Sequence, residues 1–499
     1  MTETLAADVV VIGSGAGGAP LAATLAEAGL EVLVLEAGAR VETREFNGEP
    51  RDMLARLMTA TTAAGSGMEL YAGRCVGGST VVNDALCWRP PAEILEGWRR
   101  DFGLEGWTEA GLAPYVERAW TGVNASPTGR EHLSRNAHLL EIGAGRLGWA
   151  AEAMPRSVRG CANLGLCNLG CPTGAKQSTL VSWVPRAERA GARVLASLRA
   201  ERVLVEGGAV RGVAATRLDP ATRAPSGELR IEAPLVCAAA GVLGTPALLL
   251  RSGLGGPGAP PGRGVQLHSS VHVAARFPEA VHGYYGPTMA YAVSEFADVN
   301  GRGGPGFMIE NVTVDPVTTA SAISGFGAAH AERMAALPFL ARALVVLRDA
   351  TRGEITLTSS GSPQVRYEPV EEDLARLRQG MAAIARGYLA AGASEVHLPL
   401  QRTLTVRRES DLDALLDAEV SPRSLTLLYA VHLFGGAGMA ADPARGTCDG
   451  DGRAFAVRGL FVCDASALPG NTGVNPQITI MAHSLRVAAA ILAERRRGA

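Results

Sequence analysis

Apolar residues along this chain follow two rhythms. Short unbroken runs of valine, isoleucine and leucine, at 9–12 and 32–35, suit strands covered on both faces, and glycines and helical spacing lie between them. The pattern predicts a strand over Asp8 to Ile12, a glycine turn, a helix, and a second strand closed by Glu36. LVCAAAGVLGTPALLLRSGLG, Leu235 to Gly255, repeats the order of buried strand, glycine turn and helix. Near the C-terminus, GLFVCDASALPGNTGVNPQITIMAHSLRVAAAIL reads as a strand ending at Asp464, a loop, and a long helix beginning near Pro476, because proline suits a first helical turn. The second rhythm is alternation. ARVLASLRAERVLVEGGAVRGVAATRL, 192–218, predicts a β-hairpin or meander about its Glu-Gly-Gly turn, and EITLTSSGSPQVRY, 354–367, predicts antiparallel strands. EEDLARLRQGMAAIARGYLAAGA, 371–393, is an amphipathic helix closed by glycine.

The glycine turn after the first strand carries chemistry. Gly13, Gly15 and Gly18 occupy the G-x-G-x-x-G positions, with Ser14 and Ala16 between them, so the turn is nearly bare of side chains. Gly13 permits the bend, Gly15 lets backbone approach a pyrophosphate, and Gly18 lets the helix pack on the strand with its N-terminus towards the phosphates. Glu36, with Ala37 beside it, ends the next strand, where an acid accepts hydrogen bonds from an adenosine ribose and repels a 2′-phosphate. That favours FAD or NAD over NADP. A pyridine-nucleotide dehydrogenase would share this turn but would not need the C-terminal segment around Asp464 and Asn475.

Composition narrows the field. With 499 residues, 47% hydrophobic and 19% charged, the chain supports two large domains. Net charge is −2 with scattered basic residues, so nucleic acid is not an expected partner. Lys176 is the one lysine among many arginines, a bias suggesting a GC-rich bacterial genome. No apolar run reaches membrane-spanning length, and a strand predicted within about eight residues of the start leaves no room for a leader, so a cytoplasmic protein is expected. Eight cysteines in a chain of this length do not make a disulfide scaffold.

Two polar residues near the C-terminus suit alcohol oxidation. His432 precedes a glycine pair in HLFGG, and Asn475 stands just before the last helix. Hydride transfer from an alcohol needs one group to take the hydroxyl proton and another to hold the oxygen; a neutral imidazole and an amide meet both needs.

Five separated motifs, GSGAGG with Glu36, GRCVGGSTVVN at Gly73 to Asn83, AGVLGTPALLLRSGLG at Ala240 to Gly255, HLFGG at His432 to Gly436, and DASALPGNTGVNPQITIMA at Asp464 to Ala482, resemble the glucose-methanol-choline (GMC) flavin oxidoreductases in order and spacing. The resemblance implies an α/β protein with a Rossmann-like FAD-binding domain and an α+β substrate domain built on an antiparallel sheet. The expected division is 1–266 with 429–499 for FAD, including the cysteine loop at about 155–180, and 267–428 for a substrate-binding cap. It further implies His432 as base, Asn475 as partner of the alcohol oxygen, and flavin contacts from Arg74, Gly77, Gly78, Ser79 and Asn83. Asp464 would hold the ribityl or pyrophosphate, with Ala465, Asn475 and Pro476 alongside. Some members bind flavin covalently through a histidine just before that asparagine; Val82 stands there, so FAD is expected to be non-covalent. A bulky apolar alcohol is the expected substrate, with oxygen or another acceptor taking the electrons.

Cys161, Cys167 and Cys171 share a glycine-rich loop. They form either a structural loop or, as in cluster-bearing sugar dehydrogenases that pass electrons to a cytochrome or quinone, an iron–sulfur site. No metal is expected beyond that alternative. A lyase on the same scaffold, or a non-catalytic flavin module, is disfavoured by the paired His432 and Asn475.

Overall fold

A computed structural model describes residues 3–255 and 258–498. At its centre lies a five-stranded parallel sheet in the order Arg193–Leu195, Val32–Leu35, Val9–Ile12, Leu235–Ala238, Leu460–Val462. The three longer inner runs are buried throughout except at half-buried Leu235, as their unbroken apolar sequences require. Helix Gly18–Glu27 packs on this sheet. A Cβ at Gly18 would lie 1.9 Å from the Gly13 carbonyl oxygen, so only glycine allows that approach. The last helix, Gln477–Gly498, runs beside it, with the Ser484 hydroxyl donating to the Gly17 carbonyl.

The predicted hairpin is present: Leu198–Glu206 and Ala209–Leu218 pair antiparallel about Gly207 and Gly208, both at positive φ. Pro225–Glu232 and Glu3–Ala6 extend it to four strands.

A second large sheet is mainly antiparallel. Its main path runs Met58–Thr62, Glu69–Gly73, Tyr429–Ala430, Ser270–Arg276, Leu340–Leu347, Phe307–Asn311, Tyr291–Val293, Ala151–Ala153. It therefore recruits strands from 58–73 and 151–153, far from the 267–428 region where alternation prevails. Its two faces go to different cores. Phe307, Ile309, Ala343 and Val345 pack with Leu377, Met381 and Ile384 of helix Glu371–Ala391, while Met308, Val312, Leu344 and Val346 join the core of the parallel sheet. Helix Arg135–Leu147 crosses helix Glu371–Ala391 so closely that a Cβ at Gly143 would meet the Gly387 carbonyl oxygen at 2.1 Å. A smaller sheet joins Leu433–Phe434, Arg263–Leu267, Gly353–Leu357, Pro363–Tyr367 and Ala64–Gly65, and sets His432 at its margin. No helix of the described residues is long and apolar enough to cross a membrane.

Candidate active site

The nucleotide turn is built as its glycines demand. Gly13 takes φ +106, and a Cβ there would strike the Ala239 carbonyl oxygen at 2.2 Å. A Cβ at Gly15 would meet only Gly77 and Gly78 backbone, at 3.7 Å and beyond, so this face presents bare main chain. Ala16 is half-buried against the core beside it. The helix that follows has Gly17 at its N-cap, with no side-chain hydrogen bond and no acid in its first turn, leaving its dipole to an anionic ligand. These features fit a dinucleotide pyrophosphate.

Glu36 is buried, and its carboxylate accepts from the Ser14 amide and hydroxyl (3.1 and 2.7 Å) and from the Gly38 amide (2.9 Å). Burial pushes its pKa up, and those donors with the Arg74 charge oppose the shift. Half-buried Ala37 follows it. The Ser14 hydroxyl in turn accepts from the Gly77 amide (2.9 Å), which locks the second motif onto the first; Gly77 and Gly78 both adopt positive φ. Ser79 is exposed and accepts from the Gly73 amide. The Asn83 amide donates to Gln477 at the start of the last helix. Asp464 accepts from Gly241 N, Thr245 Oγ, Ser466 N and Ser466 Oγ, so its carboxylate fixes the junction of two glycine-turn loops. Ala465 accepts from Gly435 N, which anchors the strand beside His432, and the Pro476 carbonyl accepts from Ile480 in the first turn of the last helix.

His432 and Asn475 meet: Asn475 Nδ2 lies 3.5 Å from His432 Nε2. His432 is partly accessible, yet enclosed enough that burial pushes its pKa down to about 4. The ring is therefore neutral near pH 7, as a proton acceptor must be.

Several further polar groups converge here. His268 is buried, with Nδ1 3.1 Å from His432 Nδ1 and its ring edge-to-face with that of His432. Burial holds His268 well below the ordinary histidine range, so both rings are neutral and one Nδ1 must donate to the other. In the tautomer with the proton on His432 Nδ1, His268 Nδ1 accepts it and the His432 Nε2 lone pair faces the Asn475 amide, where a hydroxyl could use it. His268→Phe, which keeps a flat ring and removes the acceptor, is expected to lower kcat about 10- to 100-fold, comparable to other outer partners that set an imidazole tautomer. Unchanged FAD content alongside the loss, measured by absorbance and anaerobic turnover, checks it.

Glu310, on strand Phe307–Asn311, is 1% exposed and faces Asn475. The Lys176 ammonium is buried and donates to the carbonyls of Val81, Asn83 and Cys167, burial lowering its pKa to about 8. His268 and Glu310 carry no motif in the sequence, whereas Lys176, which the sequence allows either to line the site or to satisfy loop carbonyls, does the second. A single acid in the apolar run FMIENVTV, and one lysine in an arginine-rich chain, were the available signals.

In the cysteine loop, the buried Arg156 guanidinium points at the Cys167 thiol (3.1 Å) and more distantly at Cys161 (4.0 Å), and Lys176 N donates to Cys171 (3.3 Å). All eight cysteines are free, and no group of three or more His, Cys, Asp or Glu is poised to hold a metal among the described residues. The other five are buried in apolar surroundings.

The profile described as GMC oxidoreductase matches residues 11–270 in its N-terminal part and 349–484 in its C-terminal part. The chain is 38% identical to an uncharacterised GMC-type oxidoreductase of Mycobacterium tuberculosis, over 97% of this chain and 75% of that protein. It is 32% identical to one of Sinorhizobium fredii, over 98% and 95%. A long-chain-alcohol oxidase of Arabidopsis thaliana is 29% identical over 97% of this chain and 67% of its own length. The crystal structure of pyridoxine 4-oxidase from Mesorbium loti superposes with a TM-score of 0.72 at 19% identity, covering 97% and 98% of the two chains. The chain belongs to the GMC oxidoreductase family and is an FAD-dependent enzyme acting on CH–OH groups.

Proposed function

We propose that this enzyme oxidises a bulky, apolar alcohol to an aldehyde or ketone, with His432 taking the hydroxyl proton and Asn475 holding the oxygen. The observation that carries the reading is the pairing of a neutral imidazole with a carboxamide, Nε2 to Nδ2 at 3.5 Å. FAD, when bound, accepts the hydride. The proposed cofactor contacts are Gly13, Ser14, Gly15, Ala16, Gly18, Glu36, Ala37, Arg74, Gly77, Gly78, Ser79, Asn83, Asp464, Ala465, Asn475 and Pro476. Residues 1–266 with 429–499 form the proposed FAD domain, capped by 267–428.

The apolar preference is supported by similarity to a long-chain-alcohol oxidase. Free thiols throughout support a cytoplasmic, reducing setting, and relatives in Mycobacterium and Sinorhizobium support a bacterial source. Oxygen or another acceptor would reoxidise the enzyme.

Anaerobic mixing with aliphatic, terpene, steroid and sugar alcohols tests the reading: long aliphatic or terpenoid alcohols are expected to bleach the yellow colour, and bleaching by sugars alone would overturn it. Acid precipitation is expected to leave FAD in the supernatant, because Val82 offers no atom for a covalent link. A yellow pellet would contradict this.

A further inference from the structure

The loop from Gly160 to Lys176 takes no part in the alcohol chemistry, yet it gathers three thiols beside two buried cations, Arg156 and Lys176. A single turn of 3-10 helix, Cys167–Leu169, is its only regular element. Gly165 and Gly170 take positive φ, and so does Cys171, at +71, a conformation that a residue with a side chain keeps only where its surroundings impose it. Cys161, Cys167 and Cys171 all line one cavity of about 20 Å3, room for a single water-sized molecule. Cys167 is buried there, while Cys161 and Cys171 are half-buried. One guanidinium, that of Arg156, reaches both Cys167 (3.1 Å) and Cys161 (4.0 Å), so a positive charge stands where a bound metal ion would have to sit. The set is built for sulfur chemistry without a metal.

We propose that this loop is a peroxide-responsive thiol pair, with Cys171 as the attacking sulfur and Cys167 as its resolving partner. The Cys171 thiolate attacks one oxygen of hydrogen peroxide: the S–O bond forms, the O–O bond breaks, and hydroxide leaves and takes a proton from solvent. The sulfenic acid so formed is attacked by the Cys167 sulfur. The S–S bond forms, the S–O bond breaks, and the oxygen leaves as water with one proton. Two electrons pass from the two thiols to the peroxide, and an external dithiol returns them. The thiol chemistry is independent of which alcohol the enzyme oxidises.

The assignment of roles follows from the surroundings. Cys171 is reachable from solvent, and its sulfur accepts from the Lys176 amide (3.3 Å) and lies 3.5 Å from the Thr173 hydroxyl. Burial opposes its ionisation, but those donors and the Lys176 charge outweigh it and hold the thiol below the ordinary cysteine range. Burial pushes Cys75, Cys87, Cys448 and Cys463 the other way. Cys167 is the partner because both sulfurs stand within reach of the Lys176 charge, and only one helical turn and Gly170 separate them in the chain. The event also reaches the active site. Lys176 holds the carbonyls of Cys167 and Asn83, and the Asn83 side chain donates to Gln477, two residues beyond Asn475. Closing the bond removes the Cys171 sulfur from the Lys176 amide and pulls on that chain of contacts.

The test uses holoenzyme in thiol-free buffer. Arg159 and Lys176 bound a single tryptic peptide, 160–176, that carries all three cysteines, so its fragmentation spectrum assigns any link. After brief exposure to hydrogen peroxide, the wild-type peptide is expected to be about 2 Da lighter with a Cys167–Cys171 bond, and dithiothreitol is expected to restore it. Cys167→Ser is expected to halt at a sulfenic acid that dimedone traps on Cys171, and Cys171→Ser to give neither product. Flavin bleaching by an alcohol is expected to slow several-fold in the oxidised wild type, to recover with dithiothreitol, and to be insensitive to peroxide in Cys171→Ser. A link to Cys161 instead, a dimedone tag on another cysteine, no reaction of the peptide, or stoichiometric iron in the protein as purified overturns the proposal. A bleaching rate unchanged by a fully formed link overturns the coupling through Lys176.

Discussion

His432→Ala is expected to lose alcohol-dependent flavin bleaching by roughly two to four orders of magnitude while keeping its FAD. The size follows from what His432 does. It is the neutral ring beside Asn475, its Nδ1 is engaged by His268, and Ala cannot take a proton at the place where the Nε2 lone pair stood. Retention of FAD follows from distance along the fold: the nucleotide turn, Glu36 and the Ser14–Gly77 bond use none of its atoms. Single-turnover bleaching with a long-chain alcohol, normalised to bound FAD, measures the loss. Normal turnover would remove His432 from the chemistry, and loss of FAD would make it a structural residue.

Lys176→Met is expected to destabilise the protein by about 3–5 kcal/mol, read as a lowered urea midpoint, because three buried carbonyls lose their donor at once. The ammonium joins Val81 and Asn83, at the end of the second motif, to Cys167 in the cysteine loop. Methionine fills the space and satisfies none of them. Arginine, the residue this chain otherwise prefers, is longer and planar and does not reproduce a compact three-donor centre. A stability close to wild type in Lys176→Met would show that the carbonyls find other partners.

What could be read in advance divides along physical lines. Four strands of the parallel sheet were legible because strand and glycine turn are encoded by adjacent residues, as Val9–Ile12 and Gly13 show, whereas Arg193–Leu195, read with the hairpin, pairs parallel with Val32–Leu35 instead. The hairpin at Gly207–Gly208 and the helix closed by Gly392 were legible for the same reason. The edges of the large sheet were not. Met58–Thr62, sequence MTATT, offers only Met58 and the small Ala60 as apolar positions, and Ala151–Ala153 is three residues long; both are strands because of what they pair with. At the active site, His432 and Asn475 stood out beside glycines and a helix start. His268 and Glu310 owe their character to burial and to neighbours more than a hundred residues away, which sequence spacing does not carry.

The central sheet is completed only when Leu460–Val462 reaches Leu235–Ala238. On the ribosome, the earlier strand therefore waits with an unpaired ladder while residues 239–459 are synthesised, and a transcript cut short before that point yields a polypeptide with an open, sticky edge. Such fragments would be clients of chaperones and proteases rather than weakened enzymes, so premature stops even late in the gene act as complete losses.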